Sequence, residues 1–267
     1  MAWGYTGHGG AAMTIGEIGI LVLTGIGGGL LSSMAGMASL IVYPVLLALG
    51  VSPVSANVTN TAAMIFTGVG SGLASTRELR ANRRLMVAVT GYAVAGGILG
   101  AILLAVAPGS TFERVVPFLI AIAGGLMLWS ARTSPVRGAK GHVVTGWRLV
   151  GRNAVVLLVG LYIGYFGAAA GIVMLAILSL TLPVSFAVAN ALKNFATLLT
   201  NIVALVIYAF TTKVYWLMVL PLGVGMFIGG YLGPLVVRHV PQRALRIGVG
   251  IAAFGLAAYF FWTAYLE

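Results

Sequence analysis

Apolar runs about 17–25 residues long recur from one end of this chain to the other, the length that a bilayer's hydrocarbon core demands of a helix. The clear ones are Val54–Ser75, Leu85–Ala107, Val115–Ala131, Phe186–Phe210, Val214–Val237 and Ile247–Tyr265. Little is left to cover a water-facing surface: 7% of the 267 residues are charged, where a soluble domain carries about 25%. The fold class is therefore an all-α polytopic membrane protein. Its polar segments are too short for an appended enzymatic or nucleic-acid-binding domain. The net charge of +11 then reads as topology and contact with the lipid bilayer, and no nucleic acid is expected as a partner.

Two apolar stretches, Ile15–Gly50 and Ala154–Leu182, differ from the rest because a cluster of small residues breaks each one. The first break is Ser32-Ser33-Met34-Ala35-Gly36-Met37-Ala38-Ser39, the second Gly164-Tyr165-Phe166-Gly167-Ala168-Ala169-Ala170-Gly171. Only Leu40–Gly50 and Ile172–Leu182 remain beyond them, about 17 Å of helix each and roughly half a membrane. Both stretches are expected to be broken, re-entrant hairpins turning near the midplane. They lead into similar sequence. Pro53-Val54-Ser55 answers Pro183-Val184-Ser185, and Ala56-Asn57-Val58-Thr59-Asn60-Thr61 answers Ala189-Asn190-Ala191-Leu192-Lys193-Asn194. Three apolar runs follow in each half. The chain thus divides into a first membrane repeat over residues 1–131, a basic linker over 132–153 and a second membrane repeat over 154–267. Internal duplication of this kind recurs among transporters.

Basic residues set the orientation. With re-entrant hairpins, the segments 77–84, 132–153 and 238–246 share one side and carry twelve bases, against Arg114 and Lys213 opposite. Hairpins that crossed fully would divide the bases far less unevenly. The positive-inside rule therefore favours two inverted repeats in the cytoplasmic membrane, with the linker inside and both termini outside.

Within these spans one charge lies well inside the apolar region, that of Lys193. Asn190, Lys193 and Asn194 share one helical face, and Thr197 and Asn201 extend it. The matching face in the first half is Asn57, Asn60 and Thr61. An inverted two-fold would bring both faces together beside the second legs of the hairpins, whose N-termini offer unpaired N–H groups and the positive end of a dipole. Gly36 to Ser39 and Gly167 to Gly171 are small enough for a ligand to approach those amides. An ammonium, several amides and hydroxyls, and no carboxylate suit a small anion. The expected substrate-binding set is Lys193, Asn190, Asn194, Asn57, Asn60, Thr61, Ser39, Gly36 and Gly171. Blander readings stand beside it: Lys193 could snorkel to headgroups, and the asparagines could serve as interhelical glue. Glu17, near an outer end, reads as a solvated end residue. Gly225 and Gly229 could form a homodimer face or pack the repeats together.

At these residues the chain resembles the sulfite exporter TauE/SafE family of membrane transporters. The carrying segments are Ser33-Met34-Ala35-Gly36-Met37-Ala38-Ser39-Leu40 through Pro44 to Leu49-Gly50-Val51-Ser52-Pro53 and Ala56-Asn57, with Gly164 to Gly171 and Ala189 to Asn194 in the second half. The resemblance implies export of a small sulfur oxoanion or organosulfonate, of the sulfite or sulfoacetate type, across the cytoplasmic membrane. The family often has denser glycine at the two turns than Gly-Met-Ala-Ser and Gly-Ala-Ala-Ala-Gly here.

The function expected is a secondary transporter working by alternating access, with a passive anion channel as the alternative. An enzyme is not expected. There is no cysteine, and His8, His142 and His239 lie in polar segments. No catalytic residue, metal site or cofactor is therefore expected.

Overall fold

In lipid the backbone must satisfy its own polar groups, and helices do so within one segment. The computed structural model describes residues 13–107, 109–132 and 146–236, with scattered positions between 247 and 262, and those contain no strand. In chain order the helices are α1 (Ile15–Ala35), α2 (Ser39–Ala48), α3 (Pro53–Ala74), α4 (Thr76–Ala81), α5 (Arg83–Val106), α6 (Gly109–Arg132), α7 (Trp147–Tyr165), α8 (Ala170–Thr181), α9 (Phe186–Thr211) and α10 (Trp216–Val236). Most of the run expected over Ile247–Tyr265 and of the linker over 132–153 lies outside the described residues. Where the linker's end is described, α7 already begins at Trp147, because Leu149 and Val150 continue the helix ahead of the purely apolar run.

Among the described residues, four helices, α1, α5, α9 and α10, are long and apolar enough to cross a membrane by length and composition alone. The arrangement of side chains explains how they pack there. On α5, Leu99, Ile102, Leu103 and Val106 are exposed while Gly96, Gly97 and Gly100 are buried. Lipid is as apolar as leucine, so helices associate through close backbone approach at small residues and leave the large ones outside. Gly25 and Gly29 of α1 lie against the backbone of α10, and Gly225 and Gly229 of α10 lie against α1. The glycine pair on α10 therefore packs this helix against α1.

The two breaks fall where the small residues predict. The first spans Gly36–Ala38 between α1 and α2, with Gly36 at φ 74° closing α1 through an N–H bond to Ser32 O. The second separates α7 from α8, with Gly167 at φ 75° and Ala169 at φ 57°. At the other end of α1, Thr14 and Glu17 form a reciprocal capping box, which accounts for that acid as a helix-end residue.

Packing repeats itself between the halves. α1 lies along α10 as α7 lies along α5, α3 lies on α10 as α9 lies on α5, and α3 meets α9. Exchanging α1 with α7, α3 with α9 and α10 with α5 maps this pattern onto itself. Directions follow from the glycine contacts. Gly25, Gly29 and Ser33 meet successive positions near 225, 229 and 233, so α1 and α10 run the same way. Ala93 meets Gly160 and Gly97 meets Gly164, so α5 and α7 do too.

Candidate functional site

The two turns meet. Gly36 and Gly171 stack Cα against Cα, so closely that a Cβ on either would collide with the other's backbone. Here the backbones of two broken helices cross, and the smallness of both residues serves that contact first. Both residues also border the small cavity that opens beside the crossing.

The polar faces of α3 and α9 answer the carbonyls that these breaks leave behind. A helix end strands its last C=O groups, and in lipid no water replaces the missing partners. Asn190 Nδ2 donates to Ser33 O at 3.0 Å, Asn194 Nδ2 to the same oxygen at 3.2 Å, and Lys193 Nζ to Ser32 O at 3.1 Å and Ser33 O at 3.3 Å. In the other half, Asn57 Nδ2 donates to Tyr165 O at 3.0 Å. Each polar helix thus caps the last turn of a broken helix from the other half of the chain. Lys193 is 1% exposed. Snorkelling is excluded: its charge is held at the negative end of α1's dipole. The sequence expectation set the ammonium beside the N-termini of the second legs; its hydrogen bonds go to the end of α1, while Gly171 in the first turn of α8 lines the same cavity.

Further bonds brace the turns. Tyr162 donates its hydroxyl to Ala168 O at 2.9 Å, and the Tyr208 hydroxyl donates to Gly164 O. Asn60 Nδ2 donates to Ser39 Oγ at 3.0 Å, and Thr61 Oγ1 to Asn57 O at 3.0 Å.

The cavity has a volume of about 20 Å³, room for about one water. Of the expected site residues, Lys193, Asn194, Thr61, Gly36 and Gly171 border it. Asn57, Asn60, Asn190 and Ser39 do not; the three amide nitrogens and the Ser39 hydroxyl are engaged in the helix-end and turn contacts just described, while the three amide oxygens are buried without a partner. Ser32, Met64, Ile163 and Phe166 also border the cavity and were not expected. Neither were Thr197 and Asn201 as binding groups, although their place on the 190–193–194 stripe was the signal that finds them. None of the lining residues is acidic. Two of the three Lys193 ammonium protons go to α1, which leaves one donor for the cavity.

Small residues inside, large apolar ones outside, and a buried ammonium where two broken helices cross define a multi-pass membrane transporter. The chain belongs to the sulfite exporter TauE/SafE family, whose model matches residues 21–260. It is 28% identical over 225 residues to the probable membrane transporter protein ORF9 of a Sinorhizobium species, covering 82% of this chain and 81% of the relative. The probable membrane transporter protein YfcA of Escherichia coli K12 is 24% identical over 245 residues, 90% of this chain and 88% of its own. A probable membrane transporter protein of Haemophilus influenzae is also 24% identical over 245 residues, 90% and 93% of the two chains. No solved structure matches the chain.

Proposed function

We propose that this transporter exports a small sulfur oxoanion or organosulfonate across the cytoplasmic membrane by alternating access. The single observation that carries this reading is Lys193: a fully buried ammonium with one free donor, bordering an acid-free cavity at the junction of two duplicated hairpins. Such a site attracts an anion and repels a cation. Its volume is too small for a four-atom oxyanion, so loading requires one hairpin to move away from the Gly36–Gly171 crossing. Movement of one hairpin and then the other opens the site to each side in turn, and a passive channel has no use for that closure.

The two repeats lie inverted, with both termini outside and the linker in the cytoplasm. Three features support this: the excess of basic residues on one side, the shared direction of α1 with α10 and of α5 with α7, and the reversal of direction that short connectors impose between α3 and α5 and between α9 and α10. The membrane potential supplies the driving force, since an anion leaving a negative interior gains about 2.3 kcal/mol per charge per 100 mV. The test is efflux of sulfite and of sulfoacetate from proteoliposomes under a clamped potential. Saturable efflux, faster with a negative lumen, is expected for one of them. Flux that rises linearly with concentration makes the protein a channel, and absence of flux for both removes this substrate class.

A further inference from the structure

We infer that Thr197 and Asn201 form a second anion station on α9, one and two helical turns beyond Lys193, through which the oxyanion passes on its way out. The inference rests on the transporter reading above. Steps of four residues keep Lys193, Thr197 and Asn201 on one helical face, about 6 and 12 Å apart along the axis, and all three border the cavity.

Several buried polar atoms of the described residues are left without a partner, and what marks these two is that such an atom coincides with a place in the cavity's lining. Of the five asparagines on α3 and α9, four donate Nδ2 within the protein: Asn57, Asn60, Asn190 and Asn194. Asn201 is 2% exposed, and its Nδ2 has no hydrogen-bond partner among the described residues. Thr61 and Thr200 return their hydroxyls to the carbonyl four residues back. Thr197 does not, and its buried Oγ1 is also unpartnered. A buried donor without a partner costs stability, and both residues border the cavity beside the hairpin crossing.

The duplicated helix shows that packing does not require polar residues there. Continuing the register that pairs Asn60 with Lys193 and Thr61 with Asn194, Met64 stands opposite Thr197 and Gly68 opposite Asn201. Gly68 is filled by the side chain of Leu198. The first repeat therefore manages with a thioether and a bare backbone where the second places two hydrogen-bonding groups.

A charged station followed by a neutral one gives the path a direction. The ammonium of Lys193 captures the anion. The hydroxyl and amide beyond it hold an oxyanion by hydrogen bonds alone, weakly enough to release it. In the proposed topology α9 enters from the cytoplasm, so the step from Lys193 to Asn201 runs outward.

The test separates capture from passage. Thr197→Val and Asn201→Leu keep side-chain volume and remove the donors. Binding is measured on detergent-purified protein by thermal shift with sulfite and with sulfoacetate, and efflux is measured in proteoliposomes with whichever of these the wild type carries. The expected result is affinity within about twofold of wild type and efflux lowered about tenfold or more, with Asn201→Ser recovering part of the rate. Thr197→Val decides the matter alone if the leucine variant does not fold. Wild-type efflux from both folded variants overturns the station. So does affinity that falls in step with efflux, because the residues then belong to one site with Lys193. Wild-type protein that neither binds nor moves either anion defeats the exporter reading itself, and the station with it.

Discussion

Replacing Lys193 with methionine separates the two things this residue does, because it keeps most of the unbranched apolar stem and removes the charged end with its protons. The ammonium makes bonds to Ser32 O and Ser33 O, and hydrogen bonds to a charged group contribute about 1.5–3 kcal/mol each. Both acceptors keep other donors. Gly36 N–H still reaches Ser32 O at 2.7 Å, and Asn190 and Asn194 still reach Ser33 O. Against the lost bonds stands relief from burying a cation, itself several kcal/mol. The opposing effects nearly cancel, so Lys193→Met is expected to unfold within about 2 kcal/mol of wild type. Transport responds differently. A unit charge at about 4 Å contributes roughly 4 kcal/mol toward an anion at an effective dielectric near 20, equivalent to about a thousandfold in affinity. Thermal unfolding in detergent and anion efflux from proteoliposomes measure the two consequences on one preparation. Wild-type efflux would refute the anion role. A variant too unstable to purify would show instead that the ammonium chiefly ties α9 to α1.

Four further substitutions test the packing around the site. Gly25→Ala should destabilise the protein by about 1–3 kcal/mol, because its Cβ would strike the Leu222 carbonyl of α10, whereas Gly27→Ala, with open space around it, should leave the unfolding temperature unchanged. Ala169→Gly relieves a left-handed residue at φ 57° and should raise stability by up to about 1 kcal/mol, read as a higher unfolding temperature; a lower one would show that the contacts of its buried methyl outweigh the strain. Asn57→Leu strips Tyr165 O of its side-chain donor and should cost about 1–3 kcal/mol, with a loss of purified monomer on size exclusion as the accompanying sign.

Much of this architecture could be read from residue type and spacing, because lipid enforces few and strict rules. The breaks at Gly36 and near Gly167 were legible because no other part of the long apolar stretches collects so many small residues. The polar faces of α3 and α9 were legible because Asn57 and Asn60, and Asn190, Lys193 and Asn194, repeat at helical spacing within otherwise apolar runs. What the asparagines bind was not legible. Four of them look alike in sequence, yet Asn57 and Asn190 seal carbonyls across the repeat boundary, Asn60 braces Ser39, and only Asn194 reaches the cavity while bonded to Ser33 O. Those partners lie up to 161 residues away, and which carbonyl a helix end strands depends on where that helix stops. The same limit hid the purpose of Gly36 and Gly171. A sequence shows that a residue is small, and only the fold shows that its neighbour is another backbone.

The duplication carries the site's chemistry through its imperfections. A perfectly repeated sequence would place the same residue at 60 and 193, and two facing lysines would repel each other in a medium that screens charge poorly. The chain holds one lysine and one asparagine. The asparagine is used within its own repeat, on Ser39 of the hairpin. The lysine crosses to the other repeat and holds the end of α1. One repeat thereby supplies the fixed charge and the other supplies the carbonyls that make the charge tolerable. Under the proposed export by alternating access, separation of α9 from α1 strands that charge, and the moving hairpin has to carry a replacement partner into the gap. An anion is such a partner, and a neutral solute is not. Coupling of opening to occupancy then follows from the cost of an unpaired ammonium in lipid, without a further gating residue. In Lys193→Met the hairpins should open without substrate, so hydrogen exchange at Gly36 and Gly171 should no longer depend on the transported anion. Exchange that still responds to the anion in that variant would show that another group senses it.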